Sequence, residues 1–138
     1  FQHTIDPKGR VIIPAAFRTE LGVKFMITKG LEECLFIFSE AQWNNLVSKL
    51  ETLPLSNNNA RAFNRFFFST ASECELDKNY RILIPQNLRT HAALEKDISI
   101  IGVGTRVEVW SKDKWEKYTQ GDSLSPDSIA ETMAMLGI

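Results

Sequence analysis

The chain carries one pattern twice. Ile5-Asp6-Pro7-Lys8-Gly9-Arg10-Val11-Ile12-Ile13-Pro14 aligns with Leu76-Asp77-Lys78-Asn79-Tyr80-Arg81-Ile82-Leu83-Ile84-Pro85 at a shift of 71 residues. The same shift matches Phe17-Arg18-Thr19 with Leu88-Arg89-Thr90. A shift of 72 then pairs Gly30 with Gly102, Ser39 with Ser111 and Trp43 with Trp115, as one residue inserted in a loop would produce. Fixed-period self-similarity of this kind marks a duplicated structural unit. A unit of about 45 residues has too little core to stand alone in water. The two copies must therefore bury their apolar faces against each other. The expected class is α+β: two tandem β units packed about an approximate twofold as a small, closed or interlocked β barrel with peripheral helices.

Each copy reads the same way. A short strand ends at Ile5 or Leu76, and a four-residue turn follows, Asp6-Pro7-Lys8-Gly9 in the first copy. A β-branched strand, Arg10 to Ile13 or Arg81 to Ile84, is closed by a proline that cannot continue a ladder. Short helices are expected around Ala15–Leu21 and Gln86–Ala92. Hairpins follow over Phe25–Thr28 with Leu35–Phe38, and over Ile98–Ile101 with Val107–Trp110. Ser39 and Ser111 are suited to cap the next helices, and Gln42 stands at capping-box spacing from Ser39. Between the copies, Ala60, Phe63, Phe66, Phe67 and Ala71 fall at helical spacing, with Phe68 widening the apolar arc. Ser125-Pro126 opens a last short helix holding Ile129, Met133 and Leu136. The organisation read from this is 1–52 first repeat, 53–71 linking Phe-rich helical segment, 72–119 second repeat and 120–138 acidic C-terminal helix.

Sixteen Lys and Arg against 17 Asp and Glu leave a net charge of -1, but the charge is not spread evenly. Residues 1–30 are net +3 and residues 61–90 net +2, while 31–60 and 91–138 are each net -3. Both positive blocks contain the repeated motif. Apolar residues at 43% and charged residues at 24% exclude disordered and fibrous classes. No apolar run approaches the ~18 residues of a membrane span, and no leader is expected before the fold. The chain begins at Phe1, so a few residues are expected to precede it. Cys34 and Cys74 lack metal-ligand or disulfide-framework spacing and read as free thiols in a reducing compartment.

The repeated chemistry is Asp-x-x-x-Arg: Asp6 with Arg10, and Asp77 with Arg81. An Asp opening a turn accepts backbone N–H bonds from that turn. It can also hold a guanidinium, by a bidentate bond, and so fix where the long arginine side chain points. An arginine held in this way suits phosphates, or the O6 and N7 of guanine in the major groove. Lys8 and Arg18 add positive charge in the first copy, Lys78 and Arg89 in the second. The competing reading is a turn stitched by a surface ion pair, which carries no function.

These residues reach a known family. The two Asp-x-x-x-Arg stretches resemble the signature of MraZ proteins, and Ala60-Arg61-Ala62-Phe63-Asn64-Arg65-Phe66-Phe67-Phe68-Ser69 resembles that family's most distinctive segment. With Ile101-Gly102-Val103 and Trp110-Ser111-Lys112-Asp113-Lys114-Trp115, the likeness covers almost the whole chain. The resemblance implies two AbrB-like (SpoVT-type) swapped-hairpin units in a bacterial transcription regulator. Such a protein forms an octamer-like ring and binds direct repeats in double-stranded promoter DNA upstream of the division and cell-wall operon, which it represses. It would be cytoplasmic and nucleoid-associated. By motif match, Asp6 with Arg10 and Asp77 with Arg81 carry over as the signature pairs, with Lys8 as the neighbouring base. The nearby cations Arg18, Lys78 and Arg89 complete the DNA-contacting candidates, and Asp6 and Asp77 orient the signature arginines. Tyr80 departs from the glycine expected opposite Gly9. Since a turn needing positive φ strains a tyrosine, the second loop is expected to be shaped differently and Arg10 to outrank Arg81.

Phe63, Phe66, Phe67 and Phe68 are candidates for the ring interface, and equally for a buried helix face. No catalytic residue, metal site, cofactor or small-molecule substrate is expected. His3 and His91 lack a partner at metal or base–nucleophile spacing and read as lone solvated histidines. Nucleophile elbows, phosphate loops and CxxC pairs are absent. The alternative function is a protein-binding scaffold of the division machinery without direct DNA contact.

Overall fold

A computed structural model describes residues 1–138. The first unit contains β1 (Gln2–Thr4), β2 (Arg10–Ile12), α1 (Ala15–Leu21), β3 (Lys24–Lys29), β4 (Leu35–Ser39) and α2 (Glu40–Glu51). After α3 (Asn58–Phe68), the second unit repeats the order. It contains β5 (Ser72–Glu75), β6 (Arg81–Leu83), α4 (Gln86–His91), β7 (Asp97–Val103), β8 (Arg106–Ser111) and α5 (Lys112–Thr119). A turn of 3-10 helix at Asp122–Leu124 leads to α6 (Pro126–Leu136). No helix is long and apolar enough to cross a membrane.

The strands form a six-stranded antiparallel sheet ordered β1-β7-β8-β4-β3-β5, and a separate two-stranded ribbon of β2 with β6. The first strand of each unit is thus exchanged: β1 pairs with β7 of the second unit, and β5 with β3 of the first. Where the units meet, residues related by the repeat face each other. Val11 lies opposite Ile82 in the ribbon, and Phe36 opposite Glu108 between β4 and β8. Of the closed or interlocked barrel expected, the closed form is not made: β1 and β5 are the two edges of the sheet, each paired on one side only. The physical reason is the exchange itself. It uses each unit's first strand to extend the partner unit's hairpin, and the motif strands pair apart as a lid.

The core lies between sheet and lid. Ile5, Val11, Ile13, Leu21, Phe25, Ile27, Leu35, Ile37, Ile82, Ile84, Leu88, Ile98, Ile100 and Val109 form one buried cluster drawn from both units. Strand β4 is buried on both sides, as a central strand should be. Leu35 and Ile37 face this cluster, while Phe36 and Phe38 join Cys34 and Trp110 in a second one. Phe67 of α3, Trp43 of α2, and Trp115 and Tyr118 of α5 cover that second cluster. The expected caps are in place. Ser39 accepts from the Gln42 amide, Ser111 from Lys114 and Ser125 from Ser128. Cys34 and Cys74 are free and buried, and burial pushes both thiols up to about 12.

Candidate nucleic-acid interface

Each motif turn is built around one carboxylate. In the first, Asp6 Oδ1 accepts from the amides of Lys8 and Arg10, both at 2.9 Å, while Oδ2 accepts from Arg10 Nε at 2.6 Å. In the second, Asp77 Oδ1 accepts from the amides of Asn79 (2.8 Å) and Arg81 (2.9 Å), and Oδ2 from Arg81 Nε at 2.9 Å. The backbone closes both turns identically: the residue-9 amide donates to the Asp6 carbonyl, and the residue-80 amide to the Asp77 carbonyl. The Arg10 backbone amide, followed by the Arg10 side-chain bond, holds the Asp6 carboxyl below its ordinary range, and the Arg81 amide, followed by the Asn79 amide and the Arg81 side chain, does the same for Asp77.

The expected bidentate clamp is not what forms. One oxygen is committed to the turn's amides, so only the other reaches the arginine, and it does so at Nε. The terminal nitrogens of Arg10 and Arg81 consequently have no hydrogen-bond partner within the chain. Each guanidinium is fixed at its base and free at its tip.

The second loop is not shaped differently. Tyr80 adopts φ 61°, beside 89° for Gly9, so both turns share the left-handed residue before the arginine. The strain on a tyrosine there is partly offset by an arginine from the other unit: the Arg18 guanidinium stacks 3.9 Å from the Tyr80 ring centre. Reciprocally, a Cβ on Gly9 would lie 2.7 Å from the Arg89 guanidinium carbon, so Arg89 occupies the space above the glycine. Arg18 and Arg89 are held by their Nε atoms on the carbonyls of Ile13 (2.8 Å) and Ile84 (2.9 Å). These two arginines therefore brace the opposite unit's loop.

The ribbon brings the motifs together. Its register sets Arg10 opposite Leu83 and Ile12 opposite Arg81, with Val11 and Ile82 turned into the core. Arg10 and Arg81 thus share the outer face, with Lys8 and Lys78 in the turns that lead into it. No group of three or more His, Cys, Asp or Glu side chains is arranged to hold a metal ion. His91 is packed rather than solvated, its Nε2 3.3 Å from the Gly30 carbonyl and its ring edge-on to Phe66.

The aromatic candidates divide. Phe67 stacks on Phe36 and Phe66 packs on Phe67 and His91, so both are half-buried within the chain. Phe68 meets Trp43 yet stays partly open, and Phe63 is 53% exposed.

A family model described as "MraZ protein, putative antitoxin-like" matches residues 1–66 and again residues 67–136. The chain belongs to the MraZ family. Three MraZ relatives are named transcriptional regulators. Those of Alkaliphilus oremlandii and Acetivibrio thermocellus are 62% and 60% identical over 138 residues, covering all of this chain and 96% of each relative. That of Moorella thermoacetica is 54% identical over 133 residues, 96% of this chain and 93% of its own length. The two matched stretches of the MraZ model each contain one Asp-clamped arginine turn. Sequence reasoning missed the bracing role of Arg18 and Arg89, the positive φ of Tyr80 and the exposure of Ile12 and Leu83. Only the last was open to it, since residues 12 and 83 alternate with buried neighbours.

Proposed function

We propose that this MraZ chain is a sequence-specific DNA-binding transcriptional regulator that grips the duplex with the outer face of the β2–β6 ribbon. The observation that carries the reading is the pair of Nε-anchored arginines, Arg10 and Arg81, with unpaired tips on one ribbon face. A two-stranded ribbon fits the major groove, and a guanidinium tip offers the two parallel donors that guanine or phosphate accepts. Lys8 and Lys78 add phosphate contacts, while Arg18 and Arg89 contribute through loop shape as well as charge. Asp6 and Asp77 are orienting residues. The exchanged strands β1 and β5 support the swapped-hairpin reading of the two units.

The finer reading is repression of the division and cell-wall operon through upstream direct repeats, by a cytoplasmic, nucleoid-associated, octamer-like ring. Two exposed apolar surfaces support self-association. One is Phe63 with Phe68 on α3. The other is α6, where Met135 and Leu136 are exposed and no residue is buried. Each subunit offers few cations, so a ring engaging several repeats would raise a weak affinity through effective concentration.

The test is a band shift on labelled DNA from the chain's own upstream region, against scrambled DNA, at two salt concentrations. The expected result is a repeat-specific shift that weakens steeply with salt. Arg10→Ala abolishes it while sedimentation still shows the assembled protein. Unchanged binding by Arg10→Ala would remove the site assignment. Absence of any repeat-specific shift would favour a protein-binding scaffold.

A further inference from the structure

The outer face of the ribbon is not only basic. Ile12 and Leu83, the equivalent residues of the two repeats, are 45% and 60% exposed there. Their inward neighbours Val11 and Ile82 are almost fully buried, so the ribbon already has its core anchor without them. Register sets Leu83 directly across from Arg10, and Ile12 across from Arg81. Along each strand, the apolar residue follows the arginine by two positions, about 7 Å on the same face. The result is a four-cornered tile in which two guanidiniums occupy one diagonal and two branched aliphatic side chains the other.

Such a tile matches the major-groove edge of a base sequence. Guanine offers acceptors there, and thymine offers the C5 methyl, its one apolar group. We infer that Ile12 and Leu83 read thymine methyl groups beside the bases or phosphates held by Arg10 and Arg81, and so help to set which promoter sequence is bound. The inference rests on the DNA-binding reading above and adds to it a pair of specificity-determining residues. A second copy of the chain is disfavoured as occupant, because it would bring the same basic tile, flanked by Lys8 and Lys78, against this one. A nucleic acid neutralises those cations and covers the aliphatic corners together. The repeat keeps a branched aliphatic residue at both positions although neither side chain is needed for the core.

The experiment uses the intact chain and two versions of its own upstream region, one synthesised with thymine and one with uracil throughout. Uracil pairs as thymine does but lacks the methyl group. The wild-type protein is expected to bind the thymine duplex more tightly, by about fourfold for each methyl buried. Ile12→Ala and Leu83→Ala should each bind the thymine duplex more weakly and reduce the preference, and the double variant should bind both duplexes equally. Both residues lie on the surface, so each variant is expected to keep the wild-type unfolding midpoint, which is measured alongside. Equal binding of the two duplexes by the wild type, or a preference that survives in the double variant, would overturn the inference and leave the DNA-binding reading standing. Failure to bind either duplex would overturn the DNA-binding reading, and the inference with it.

Discussion

Asp6 and Asp77 each do two jobs, shaping a turn and anchoring an arginine, and both depend on the ionised carboxylate. Their folded values lie below the ordinary 3.8, chiefly through the amides of Arg10 and Arg81. A depressed folded value means the carboxylates support the fold fully above about pH 4, and the support is lost as pH falls through the lowered values. Asp6→Asn is therefore expected to lower stability at neutral pH, with the gap from wild type narrowing in acid. Urea unfolding at pH 7 and pH 3 measures this directly. The adjoining residue gives a second test. Gly9→Ala places a Cβ at positive φ and against the Arg89 guanidinium, so a loss of about 1–2 kcal/mol is expected. Tyr80→Gly relieves strain but forfeits the Arg18 stack, and these effects, each about 1 kcal/mol, should nearly cancel in the same assay. The Asp-x-x-x-Arg turns were legible in the sequence because their bonds are local. The shape of the Tyr80 loop was not, because the arginine that braces it comes from 62 residues earlier in the chain.

At the scale of elements, periodicity and capping chemistry were enough to place most helices and strands. Ser39, Ser111 and Ser125 signal their helices through bonds spanning three residues, which a sequence displays openly. Ser39→Ala and Ser111→Ala are each expected to cost about 1 kcal/mol and to add when combined, since the sites share no partner. Thermal or urea unfolding of the two single variants and the double variant checks both statements. The fate of the aromatic segment was less open to reading. Spacing put Phe63, Phe66, Phe67 and Phe68 on a wide arc, but it could not say that Phe36 and His91 would claim Phe67 and Phe66. Which part of an amphipathic arc stays exposed depends on neighbours distant in sequence, here β4 and α4. The monodentate arginine clamp was hidden for a similar reason: counting acceptors required knowing that one carboxylate oxygen was already engaged by the turn.

The whole molecule is held together by exchange. Duplication told that the copies must pack, yet an open sheet with a separate ribbon and a closed barrel are both compatible with the same strand pattern. Pairing between distant strands decides between them, and local sequence does not record it. Because β1 completes the second unit and β5 the first, neither half has its full sheet alone. Residues 1–71 prepared separately are expected to be unstructured when dilute and to gain β structure on addition of residues 72–138, as circular dichroism over a dilution series would report. A cooperative unfolding transition in the isolated half at high dilution would contradict this.

Joining the exchanged halves in one polypeptide has a further consequence. Two separate, identical copies would be bound to change together, since any mutation would appear on both sides of the axis. Within a single chain each side can drift alone, as glycine at 9 and tyrosine at 80 already differ while keeping one backbone shape. On the DNA-binding reading proposed above, the chain thereby meets an asymmetric stretch of duplex with two unlike hands.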